Sequence, residues 1–126
     1  MHVKHIPSIK KKPIVDAHGE SCMYQIWWQD DSSGKLFGAV KPDEMKAFQH
    51  FARLTLEPGD TNMMHTHDGV EQVYIVVKGG GTIQVGDERR EVKAGDAVFL
   101  PSDVPHGFFN TGEKQTILLL VGTKIG

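Results

Sequence analysis

From residue 48 onward, almost every stretch of alternating or β-branched residues is cut short by a turn signal, and this feature constrains the fold most. The stretches fall at 48–56, 61–66, 72–77, 81–85, 88–92, 97–100, 106–110 and 116–122. Between them stand Glu57-Pro58-Gly59-Asp60, Asp68-Gly69, Lys78-Gly79-Gly80, Gly86-Asp87, Ala94-Gly95-Asp96 and Thr111-Gly112-Glu113. Short strands with this punctuation predict an all-β sandwich or barrel. Gly86-Asp87 reads as a tight hairpin, because glycine accepts a positive φ at little steric cost. Helix signals are few, and Pro42-Asp43-Glu44-Met45-Lys46 offers only a short turn with proline at its first position.

The first 47 residues are less regular. Residues 23–28 and 35–40 read as strands around the turn Asp30-Asp31-Ser32-Ser33-Gly34. Residues 1–13 read as an arm packed on the barrel or on a partner subunit. On a strand the adjacent Trp27 and Trp28 face opposite ways, which predicts one indole in the core and one at an interface or pocket wall.

A chain of 126 residues suits one domain. Residues 1–47 are predicted to supply an arm and edge strands to it, and residues 48–122 its barrel. The net charge of −2 argues against a nucleic-acid surface, and Lys10-Lys11-Lys12 is too short to reverse that. No apolar run approaches the ~20 residues that span a bilayer, so no membrane partner is expected. Cys22 is the only cysteine, which excludes an intrachain disulfide and a thiolate metal cluster. A cytoplasmic location fits these features.

Three histidines carry the chemistry. His65 and His67 flank Thr66, so on a strand they point to one face. His106, in Pro105-His106-Gly107, completes a set of three imidazoles if the chain folds back over the first pair. Neutral imidazole suits first-row divalent metals. His2, His5, His18 and His50 have no companion pattern and read as surface or packing residues.

Laid out in order, two spaced motifs emerge. The first runs Gly59, His65-Thr66-His67, Gln72, Gly79; the second runs Gly95, Pro101, Asp103, His106, Asn110. Together they resemble the two signature motifs of the cupin superfamily, small jelly-roll β-barrels with a metal site inside. The motifs cover residues 59–110, and the flanking strands extend the resemblance to nearly the whole chain. Asp103 stands where the second motif usually has glycine. Counted back from Gly79, Gln72 stands where the first usually has glutamate. Adjacent Glu71 also falls within the tolerated gap, and pleat parity lets only one of the two face the interior; the spacing favours Gln72.

The resemblance implies one divalent transition metal per chain, Fe, Mn, Co, Ni, Cu or Zn, held by His65, His67, His106 and Gln72, with Glu71 as the alternative to Gln72. Open positions would remain for water or ligand. Neutral Gln72 leaves both metal charges uncompensated, which favours anionic ligands such as carboxylates. By parity Tyr74 shares the face of Gln72 and is the candidate catalytic acid. Met63 shares the face of His65, and Phe108 that of His106; with Arg53 as a carboxylate clamp they would line the substrate pocket. The first functional reading is a metal-dependent enzyme of unresolved reaction class, dioxygenase, isomerase, decarboxylase or lyase, acting on a small anionic organic molecule. The alternative is a non-catalytic module that binds a sugar or carboxylate. A purely structural metal is the third. A homodimer is the expected assembly.

Overall fold

Alternation along residues 48–56 becomes a strand whose even-numbered side chains His50, Ala52, Leu54 and Leu56 are buried. The computed structural model describes residues 3–13, 22–30, 39–40, 45–66 and 68–125. A 3-10 turn (Ile6–Ser8) precedes strands β1 (Lys12–Pro13), β2 (Met23–Asp30), β3 (Ala39–Val40), β4 (Phe48–Leu56) and β5 (Thr61–His65). After these come β6 (Val70–Lys78), β7 (Gly80–Val85), β8 (Glu88–Lys93), β9 (Ala97–Leu100), β10 (His106–Phe109) and β11 (Thr116–Lys124). The turn at 31–34, most of the strand predicted at 35–40, the first three residues of the helical turn at 42–46, and His2, His18 and His67 lie outside the described residues.

The strands form two sheets. The larger has the order β1-β2-β4-β11-β6-β9, with β3 paired to β2; the smaller has the order β5-β10-β7-β8. All described pairings are antiparallel except β2 with β3. Between the sheets lie Leu54, Leu56, Val76, Leu118 and Leu120 from the larger, facing Ile83 and Phe108 from the smaller. The predicted jelly-roll barrel is found as two facing sheets that do not close: among the described residues β8 pairs only with β7 and β9 only with β6, so these two edges do not join.

The arm packs on the outer face of the larger sheet. Gln25 Nε2 donates to the carbonyls of Ile6 and Ile9, both at 3.0 Å. Trp27 Nε1 donates to Gln25 Oε1 at 2.8 Å, and Lys4 Nζ lies 4.5 Å from the Trp28 ring centroid. A register shift between Ile26 and Trp28 interrupts strict alternation here. Neither indole enters the core, which corrects the expectation for one of them.

Two turn residues explain departures from simple patterning. Asp103, where a glycine was anticipated, adopts φ 63°. Aspartate tolerates this left-handed conformation better than most residues, so the turn survives without glycine. Buried Asn110 ties the ends of three segments: its Nδ2 donates to Leu56 O (3.0 Å) and Lys114 O (2.9 Å), and its Oδ1 accepts from Gly112 N (3.1 Å). Asn110→Ala is therefore expected to destabilise the fold by about 2–4 kcal/mol, because three bonds go and buried groups lose partners. Urea unfolding checks this, and a loss under about 0.5 kcal/mol, the scale of an ordinary surface change, would contradict it.

Candidate functional site

The polar end of the interior is made by a bulge that the sequence does not announce. His106 pairs with His65, yet Phe108, two residues on, pairs with Asn62, three residues back. The extra residue in β5 reverses its parity, a general consequence of β-bulges. Asn62 and His65 consequently share the interior face with His106 and Phe108. Met63, expected beside His65, is 55% exposed and lies away from the interior.

His65 and His106 are in ring contact, with centroids 4.4 Å apart at 65°. His65 Nδ1 lies 2.6 Å from the Met63 carbonyl. A carbonyl only accepts, so Nδ1 carries the proton and the bond fixes the orientation of the ring. The Tyr74 ring meets His106 edge-on at 5.7 Å, and Asn62 Nδ2 donates to the Tyr74 hydroxyl at 3.2 Å.

On the larger sheet, register builds the opposing row. His50, Gly122, Gln72 and Leu100 lie side by side across β4, β11, β6 and β9. Gln72 and Tyr74 face inward, whereas Glu71 is half-buried on the outer face, opposite Thr123. Gln72 Nε2 lies 3.0 Å from His50 Nε2. Gln72 Oε1 is buried and has no hydrogen-bond partner among the described residues. Such an acceptor is costly to leave bare, and its lone pairs suit a bound cation or a hydrogen-bond donor. His50, read from sequence as surface or packing, is buried and touches the candidate ligand Gln72. The signal was its even-numbered place in line with Ala52, Leu54 and Leu56.

Arg53 follows the opposite parity. It pairs with Gln25 and Leu119 on the outer face of the larger sheet and does not reach the imidazoles, which corrects the expected clamp. Phe108 is buried beneath His106 and packs in the core. A groove of about 610 Å³ on the open flank is lined by residues including Ile83, Arg90, Val98 and Phe99; none of the predicted site residues lines it.

Burial controls the proton chemistry. It pushes the Tyr74 phenol far above its ordinary value, Tyr24 and Cys22 push the same way, and the Asn62 bond offsets part of the rise. Burial first and Cys22 second raise Tyr24 from 10.0 to about 12. Burial first and Asp60 second raise the Cys22 thiol from 9.0 to about 12. In each case the folded state holds the proton more tightly than the unfolded one. Their contribution to stability is full below pH 9.0 and disappears as pH rises through about 12. Tyrosinate absorbance is expected to appear together with loss of the β-sheet circular dichroism; tyrosinate forming near pH 10 in an intact fold would contradict this.

The donors suit a transition metal, as the resemblance implies. Two imidazoles in contact are borderline ligands of the right kind, the Gln72 amide oxygen is a harder donor that could join them, and the Met63 carbonyl orients one imidazole. Among the described residues no three His, Cys, Asp or Glu side chains gather as a metal-holding group; His67 is outside them, and glutamine is not of those types.

An all-β double-sheet protein with histidines inside one end is the class that fold and site define. Residues 52–122, more than half of the chain, match the Cupin domain family, and the chain belongs to it. An oxalate-binding protein of Thermotoga maritima is 34% identical over 71 residues, which cover 56% of this chain and 59% of that protein. An uncharacterized protein of Methanocaldococcus jannaschii is 31% identical over 71 residues, covering 56% and 57%. The matched segment thus spans less than two thirds of either relative. Among solved structures, a predicted oxalate decarboxylase from Thermotoga maritima superposes with a TM-score of 0.79 at 23% identity, covering 98% of this chain and 100% of that one. A polyketide cyclase from Streptomyces resistomycificus gives 0.73 at 20% identity, covering 98% and 79%. At these identities the likeness is one of fold. No helix among the described residues is long and apolar enough to cross a membrane.

Proposed function

We propose that this cupin is a binding module for a small dicarboxylate of the oxalate class, held through a divalent transition metal by His65, His67, Gln72 and His106. The observation that carries this reading is the bare, buried oxygen of Gln72 in the interior that also contains the contacting His65 and His106 rings. The 34% identity to an oxalate-binding protein supports the ligand class.

When bound, the metal supplies two positive charges and open positions for two carboxylate oxygens. The chain's part is to bind and orient. Met63 O orients the His65 ring, and Tyr74 buttresses His106. Gln72 adds a donor without adding negative charge, so an incoming dianion meets no like charge from this ligand.

Binding is favoured over catalysis because the similar Thermotoga maritima protein is named for binding oxalate and the hydroxyl of Tyr74, the expected acid, is buried and engaged by Asn62. General acid–base catalysis works best with a group whose pKa lies near working pH, and burial drives this phenol the other way. Calorimetric titration of oxalate into the protein, with and without divalent metal, tests the reading. Metal-dependent binding with oxalate recovered intact is expected; turnover of oxalate would make the protein an enzyme instead.

The expected homodimer would form through the outer face of the larger sheet, where Ile75, Val77 and Phe99 are exposed. Phe99→Asp is then expected to shift sedimentation from dimer to monomer at micromolar concentration. A wild-type monomer under those conditions would remove the proposal.

A further inference from the structure

The neutral amide at position 72 raises a problem that a carboxylate would not have. A carboxylate presents oxygen whichever way it turns, but an amide presents oxygen on one side and a donor NH2 on the other. For Gln72 to ligate, something must fix which side faces the site.

We propose that His50 is the positioning residue that locks the Gln72 amide with its oxygen toward the metal site and its NH2 away from it. The inference rests on the reading of Gln72 as a ligand. Gln49 Oε1 is hydrogen-bonded to His50 Nδ1. An amide oxygen can only accept, so Nδ1 carries the imidazole proton and Nε2 is left as an acceptor. Of the two ends of the Gln72 amide, only the NH2 can donate to that acceptor across 3.0 Å, and Oε1 is thereby turned elsewhere.

Gly122 makes the contact possible. His50 on β4 and Gln72 on β6 are separated by β11, hence by two strand spacings of ~4.8 Å each. Any side chain at the intervening position would block the path. A Cβ there would lie 2.7 Å from His50 Nδ1 and 2.8 Å from Nε2, so the imidazole lies directly over the glycine. The row Gln49-His50-Gly122-Gln72 is therefore a relay of geometry: one amide sets the tautomer, the tautomer sets the second amide, and the missing side chain lets them meet.

Nitrogen NMR of the metal-free protein tests the lock without any ligand. Expected is a His50 ring protonated at Nδ1 and bare at Nε2, with the Gln72 NH2 resonance shifted by its bond to the ring. A ring protonated at Nε2 would overturn the proposal, because Gln72 would then turn its oxygen to His50. Co(II) binding, followed by visible absorption, supplies the second arm. His50→Leu and Gly122→Ala are each expected to weaken Co(II) about 10- to 100-fold, the usual effect of losing a residue that orients a ligand. His50→Gln, whose own oxygen can accept from Gln72, is expected to restore most of that affinity. If Gln72→Leu itself leaves Co(II) affinity unchanged, the ligand reading fails while the NMR result still stands. If Gln72→Leu weakens binding and both His50→Leu and Gly122→Ala bind normally, the positioning role fails alone.

Discussion

Replacing His106 with alanine is expected to abolish the thermal stabilisation that divalent metal confers, while the two sheets remain folded. Ligand present at a hundred times its Kd stabilises the native state by about 2.7 kcal/mol. For a domain of this size that corresponds to a rise in Tm on the order of 10 °C. His106 is 2% exposed and stands between His65 and Tyr74, so its removal takes away a proposed ligand from the middle of the site. The fold itself loses a buried ring, which costs about 1–3 kcal/mol against a typical total of about 5–15. His65→Ala, at a more exposed position, provides the control that disturbs packing less. Scanning calorimetry of each variant with and without metal gives the answer. A metal-induced rise in Tm equal to that of the wild type in both variants would mean that the imidazoles are not ligands.

Exchanging Gln72 for glutamate is expected to push metal and anion affinities in opposite directions. The carboxylate adds a full negative charge inside the polar end of the sandwich. At an effective dielectric constant of ~20, unit charges ~4 Å apart interact by about 4 kcal/mol, an upper guide to what one charge changes. Metal binding therefore gains and a dianionic ligand on that metal loses, each by at least about tenfold, or ~1.4 kcal/mol. Titration of metal into the apoprotein, then of oxalate into the loaded protein, separates the two effects. Equal oxalate affinity in wild type and Gln72→Glu would show that the neutral amide has no bearing on ligand charge.

The sheets were legible because burial and turns follow local rules. The runs at 48–56, 88–92 and 97–100 match β4, β8 and β9 to within a residue at either end, helped by Pro58-Gly59 after β4, Gly86-Asp87 before β8, and Asp96 and Pro101 around β9. Pleat parity also turned Gln72 rather than Glu71 inward, as the spacing to Gly79 implied. Parity failed where a bulge intervened. The extra residue in β5 sent Met63 outward and brought Asn62 in, and nothing in Thr61-Asn62-Met63-Met64-His65 marks it.

Two other features were hidden for different reasons. The open flank between β8 and β9 depends on whether edge strands meet, a long-range matter that strand patterns do not encode. The pairing of His50 with Gln72 needs the register of three strands and the glycine in the middle one. Each residue was visible alone; their adjacency was not. Arg53 was expected in the pocket, but its pairing with Gln25 and Leu119 puts it on the outer face, opposite to Ala52 and Leu54.

Anomalous diffraction from crystals grown with oxalate and a divalent transition metal tests the central claim most directly. The account predicts one anomalous peak per chain within bonding distance of His65, His67, Gln72 Oε1 and His106, carrying an intact oxalate on its open side. A metal peak elsewhere, or oxalate seated away from these four residues, would contradict it.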